Sequence, residues 1–139
     1  MNARSYLKQY EEACRRIKRY EMEYNEECIL IDAVRSLSDN DGMPHGTGIS
    51  NPTADKAVKL VDKALKIYDA KRDAIRIRQE VFEFIDGIEG IEGDVLYFRY
   101  VQLMKWEVIA RKIHYSYQGV MQIRRRALEI AQKKLDETI

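Results

Sequence analysis

The chain has little that would break a helix and little that would cross-link one. Its 139 residues hold only two prolines and seven glycines, and five of those nine fall between Gly42 and Pro52. That is the profile of a soluble helical protein, with disorder expected only at the ends and in one loop. Only two cysteines occur, Cys14 and Cys28, both in what reads as one continuous helix. Fourteen residues of helical rise would hold them roughly 21 Å apart, whereas a disulfide needs Cα atoms within about 7 Å. Neither thiol lies in a CxxC pair, and the only imidazoles are His45 and His114. A zinc site lacks suitably spaced ligands, so no metal or cofactor is expected and the thiols read as small buried apolar groups. There is no run of about eighteen apolar residues to cross a bilayer and no basic, apolar, small-residue leader. A cytosolic chain with no membrane partner is expected.

What is present is charge and apolar periodicity. Some 34% of the residues are charged and 45% are apolar, with a net charge of only +1. The charge is uneven: seven basic against nine acidic residues from Met1 to Pro52, eight against nine from Thr53 to Gly93, and nine against five from Asp94 onward. The last third carries the positive excess, a modest tilt toward a polyanionic partner.

Apolar residues recur at Leu7, Tyr10, Cys14, Ile17, Tyr24, Cys28 and Ile31, a three-four spacing interrupted by Glu21. This predicts one long amphipathic helix ending near Leu37. A loop over residues 38–53 follows, crowded with Ser, Asp, Asn, Gly and Pro. A second helix is expected to start with Asn51 or Thr53 as cap, with Asp55 in its first turn. Its stripe reads Val58, Val61, Leu65, Tyr68, Ile75 and Phe82, with Arg72 and Gln79 as polar interruptions. Two such helices pair most simply as an antiparallel hairpin, and the same seams can also join two protomers into a homodimer.

Gly87, Gly90 and Gly93 mark a change of character, so residues 1–88 read as a helical hairpin for oligomerisation or partner binding and 89–139 as a separate small domain. That domain reads as three helices, Asp94 to Leu103, Lys105 to Ile113 and Ser116 to about Leu135. Val95, Leu96, Phe98, Tyr100 and Val101 cover the first; Trp106, Ile109, Ala110 and Ile113 line the second; Val120, Ile123, Ala127, Leu128 and Ile130 line the third. The fold class is all-α.

Between the second and third helices stand only His114 and Tyr115, and Ser116 suits the cap of the helix that follows. A turn this short makes a helix-turn-helix, and packing Val120 and Ile123 inward sends Tyr117, Gln118, Met121, Gln122 and Arg125 outward. Gln118 and Gln122 suit bidentate pairing with adenine, and Tyr117 and Met121 suit thymine methyls. Lys105, Arg111, Lys112, His114, Ser116, Arg124, Arg125 and Arg126 are the candidate phosphate contacts. Trp106, beside Ile109 and Ala110, reads as a core anchor rather than a stacking platform.

Two other motifs point nowhere. His45-Gly46-Thr47-Gly48 follows no strand and precedes no lysine or nucleophile motif, so it reads as a turn. Asp39-Asn40-Asp41-Gly42 hints at calcium, but Leu37 sits where a first ligand belongs and no glutamate closes the loop. No enzymatic activity is expected.

The runs Val95 to Tyr100 (VLYFRY), Lys105 to Ile113 (KWEVIARKI), His114 to Ser116, then Val120 and Arg126 to Leu128 resemble sigma-factor region-four helix-turn-helix domains. The resemblance covers about 45 residues, and it implies a third helix that reads duplex DNA. Gly119 and Met121 depart from the charged residues often found at those surface positions of sigma domains. The long first helix, the Met43 to Gly48 loop, the second long helix and this terminal domain together resemble small phage and prophage transcriptional regulators of Gram-positive bacteria, the ArpU/RinA-like group. That resemblance implies a cytoplasmic activator in a bacterial host, with RNA polymerase as a further partner. A small-terminase-like packaging protein and a helical adaptor that binds no DNA are the competing expectations.

Overall fold

The computed structural model describes residues 1–39 and 52–138. Asn40, Asp41, the Met43 to Gly48 loop with its His45 turn, and the Asn51 cap lie outside the described residues. Among the described residues the chain forms six α-helices and one π-helical turn, with no strand. The helices are α1 (Ala3–Leu7), α2 (Gln9–Asp39), α3 (Pro52–Asp86), α4 (Gly90–Leu96), α5 (Trp106–Ile113) and α6 (Tyr117–Thr138), and the π-turn (Tyr97–Val101) follows α4. The protein is all-α: a long helical hairpin followed by a small helix-turn-helix arrangement.

Local chemistry explains the helix boundaries. Asn2 is extended and its side chain accepts from the Arg4 N–H at 2.8 Å, capping α1. Lys8 makes a single turn before α2, so the predicted first helix arrives in two pieces and ends at Asp39 rather than Leu37. Helix α3 opens on Pro52, whose missing N–H costs nothing in a first turn. Thr53 therefore lies inside the helix and is not its cap.

The contacts group the chain into two compact units, Met1–Cys14 with Asp73–Ile139, and Arg15–Arg72. The divisions fall within the long helices rather than at the glycines. In the second unit α2 and α3 run antiparallel, with a register fixed by ion pairs from Lys63 to Glu27 at 3.2 Å and from Lys71 to Glu21 at 3.4 Å. The α2 stripe expected from the sequence, Tyr10 to Ile31 with Glu21 as its break, is half-buried throughout. Cys14 and Cys28 are free and half-buried, less enclosed than expected.

Helix α3 corrects the sequence expectation. Val58, Val61, Leu65, Tyr68 and Ile75 are 55–70% exposed. The inward stripe is Leu60, Lys63, Ile67, Ala70, Ala74, Ile77 and Val81, which are half-buried or buried. Both stripes have three-four spacing and lie on faces about 160° apart at 3.6 residues per turn. The inner one escapes a hydrophobicity reading because a lysine and two alanines hold its middle. The alanines are buried, and Lys63 keeps its charge in partly exposed ion pairs with Glu23 and Glu27 while its stem lies in the seam.

In the first unit a core of Leu7, Val81, Ile85, Leu96, Tyr100, Val101, Ala127 and Ala131 joins the chain's beginning to α6. Gln132 ties this down: its side chain accepts from the Ala3 N–H at 2.8 Å and donates to the Met1 carbonyl at 3.2 Å. Ala131 occupies the inward position expected for Ile130, which is 40% exposed. At the other end of α6, Val95, Ile109, Ala110, Val120 and Ile123 form a second core with Phe98, Trp106 and Ile113 packed around it.

The π-turn explains how one short helix serves both cores. The first element begins earlier than expected, at Gly90, and changes at Tyr97 to a wider turn closed by the Gln102 N–H on the Tyr97 carbonyl at 3.1 Å. Val95 is left in the second core and Leu96, Tyr100 and Val101 in the first. Gly93 is buried, and a Cβ there would collide with the Ile88 carbonyl oxygen, so only glycine allows α4 to lie this close to the turn before it.

Candidate nucleic-acid interface

The site is built on the α5–α6 turn. Helix α5 ends at Ile113, and His114 adopts the left-handed conformation (φ 61°, ψ 39°) that stops a helix, its N–H directed at the Ala110 and Arg111 carbonyls. The Tyr115 N–H reaches the Ala110 carbonyl at 3.0 Å. The Ser116 hydroxyl then accepts from the Gly119 N–H at 3.0 Å. The expected cap is thus in place, with α6 starting one residue later at Tyr117. Gly119 also makes room for it, since a Cβ there would come within 3.2 Å of the Ser116 oxygen.

The burial of Val120, Ile123, Ala127 and Ala131 fixes the rotation of α6. The opposite row, at i, i+4 and i+7, is Gln118, Gln122 and Arg125, all exposed. Glu129 continues it one turn later and is also exposed. An anionic surface can therefore approach the first two turns of α6; beyond them the row carries one carboxylate, Glu129, followed by exposed Lys133.

The other predicted residues divide. Tyr117 is 49% exposed on the flank of that row. Met121 is half-buried against the second core and does not share the open face. The three arginines part company. Arg125 points outward. Arg124 is half-buried with its guanidinium 5.4 Å from the Trp106 ring centre, and its Nε is buried without a hydrogen-bond partner. Arg126 pairs with Glu92 at 3.7 Å on the far flank. On α5 and its turn, Lys105, Arg111, Lys112 and His114 are all exposed. The Lys112 ammonium sits 4.7 Å from the Phe98 ring centre. Ser116 is exposed, but its hydroxyl is engaged in the cap.

Sequence reading missed three residues. Arg99 lies 5.9 Å from the Trp106 ring centre, within 3.7 Å of Glu11, and donates to the Met104 carbonyl at 3.4 Å. Trp106 is thus held by two guanidiniums as well as by apolar neighbours, which anchors the start of α5. Glu107 and Tyr115 line, with Ala110, Arg111 and Tyr117, an open groove of about 500 Å³ beside the start of α6. The only sequence signal for Tyr115 was its place in the turn, and Glu107 gave none.

Burial raises the pKa of the Tyr100 hydroxyl above its ordinary value, chiefly by desolvation, although Arg124 and Arg99 pull it down. Tyr100 packs edge-on to Trp106 with ring centres 6.5 Å apart, and it belongs to the support of the site rather than its face. Among the described residues no three His, Cys, Asp or Glu side chains gather where they could hold a metal ion, and no helix is long and apolar enough to cross a membrane.

No protein-family model, no curated protein and no solved structure matches this chain.

Proposed function

We propose that the chain is a sequence-specific DNA-binding transcriptional regulator, encoded by a phage or prophage and acting in the bacterial cytoplasm. The observation that supports this most is the outward row of Gln118, Gln122 and Arg125 on a helix that follows a capped, two-residue turn. Two amides one turn apart carry the donor and acceptor pair that adenine presents in the major groove, and an arginine one turn further reaches guanine or phosphate. Lys105, Arg111 and Lys112 supply exposed positive charge, and His114 an exposed imidazole, on the preceding helix and turn, where a docked duplex would present its backbone. The resemblance to sigma region-four domains and to ArpU/RinA-like regulators points the same way, with RNA polymerase as a further partner.

The test is fluorescence anisotropy on labelled duplexes selected from fragments of host and prophage DNA. The reading requires a preferred sequence, and affinity that falls linearly with the logarithm of salt concentration. Gln118→Ala and Gln122→Ala should each cost about 1–3 kcal/mol at one base pair and nothing elsewhere. Equal losses on every sequence would leave a packaging-type binder, and no binding at low salt would leave a helical adaptor.

A further inference from the structure

We infer that Glu11, in the first turn of α2, is a positioning residue for the α5–α6 pair and acts through Arg99 on Trp106, an inference that rests on the DNA-reading role proposed for α6. Trp106 is the first residue of α5 and the chain's one tryptophan. Its ring lies edge-on to Tyr100 at 6.5 Å and packs against the second core. Two guanidiniums approach that same ring, Arg124 of α6 at 5.4 Å and Arg99 of the π-turn at 5.9 Å from its centre. Each is attracted to the ring, but the two cations repel one another. Arg124 has no hydrogen bond at its buried Nε to hold it there.

Glu11 supplies the opposing charge. Its carboxylate stands 3.7 Å from one terminal nitrogen of Arg99, and the two side chains are only 18% and 19% exposed. Water and salt therefore screen this pair less than they would a surface pair. The other terminal nitrogen of Arg99 donates to the Met104 carbonyl at 3.4 Å, just ahead of α5. The Tyr100 hydroxyl, whose pKa burial raises, senses the same cluster: Arg124, Arg99 and Arg4 lower that pKa and Glu11 raises it. The contacts thus run from α2 through the π-turn to the start of α5 and the middle of α6, all inside the unit formed by Met1–Cys14 and Asp73–Ile139. On α6, Arg124 directly precedes Arg125 of the outward row. How Trp106 sits therefore sets how Gln118, Gln122 and Arg125 are presented, although Glu11 is not on that row.

Position and charge predict opposite outcomes for Glu11→Gln in the full chain. Loss of a negative charge by itself would strengthen binding to a polyanion. Loss of positioning should weaken binding about three- to tenfold on every duplex, with the salt slope unchanged because no phosphate contact is removed. Glu12→Gln removes the same charge from an exposed neighbour and should bind at least as tightly as wild type. Arg99→Gln combined with Glu11→Gln should bind no more weakly than Arg99→Gln alone, whereas independent damage would multiply. Acrylamide quenching of the Trp106 emission needs no DNA: it should rise in Glu11→Gln and in Arg99→Gln and stay at the wild-type value in Glu12→Gln, with far-ultraviolet helicity kept in all three. A Glu11→Gln chain that binds as tightly as wild type, quenching that does not change, or losses that multiply in the double variant each overturns the inference and leaves the DNA-binding reading standing. If wild type binds no duplex, that reading fails instead, and the quenching still decides whether Glu11 holds Trp106.

Discussion

Replacing the three consecutive arginines one at a time separates three physical roles that the sequence presents as one. Arg125 is exposed on the outward row. If it neutralises one phosphate, Arg125→Ala should lower the slope of log affinity against log salt by about 0.9. Between 50 and 200 mM salt that is about a 3.5-fold smaller loss of affinity than wild type shows. Arg126 is already paired to Glu92 at 3.7 Å on the other flank, so Arg126→Ala should leave the slope and stability close to wild type. Arg124 lies over Trp106 at 5.4 Å with its stem half-buried. Arg124→Ala should cost about 1–2 kcal/mol of stability through lost cation–π contact and packing, with no change in slope. Anisotropy across a salt series reads the slopes, and urea unfolding followed by circular dichroism reads the stability. Equal slope changes for all three variants, or an Arg124→Ala protein as stable as wild type, would refute the reasoning.

Other outcomes follow from the same geometry. Gly93→Ala should destabilise by about 1–3 kcal/mol, because the new methyl meets a backbone carbonyl that cannot swing aside; a shift of the urea midpoint measures it. His114→Gly should keep or slightly raise stability, since glycine adopts the left-handed turn without a Cβ penalty. DNA binding by that variant should weaken only if the imidazole touches phosphate. Tyr100 has a folded pKa above its unfolded value, so its contribution to stability is complete below about pH 10 and declines as pH rises from there toward the folded value. Tyr100→Phe should therefore flatten the alkaline limb of a stability profile above about pH 10, and an unchanged limb would show that burial of this hydroxyl does not matter.

Much of this architecture was legible where one face of a helix is apolar and the other is not. The α2 stripe, the tight turn at His114, the cap at Ser116 and the inward set Val120, Ile123 and Ala127 all come from spacing and turn chemistry, and the structure places them as read. Helix α3 defeated the reading because it has two seams. The more hydrophobic one is the one left open, and Lys63, Ala70 and Ala74 carry no hydrophobic signal although they face inward. The arginines failed differently. Their positions on the helix were right, but which of them was engaged depended on Trp106 and Glu92, partners distant in sequence. The docking of α1 on α6 was invisible for the same reason, since a five-residue helix has no periodicity to read.

That docking bears on how the molecule is made. Gln132 bonds to Ala3 across 129 positions, so during synthesis α1 leaves the ribosome long before α6 and has to wait for it. Leu7 stays without its complete surroundings until Ala127 and Ala131 have emerged. Closure over so long a separation is slow compared with helix formation. Nascent chains halted before Ala127 has emerged should thus be readily cut by protease around α1, and synthesis through the whole of α6 should abolish that sensitivity.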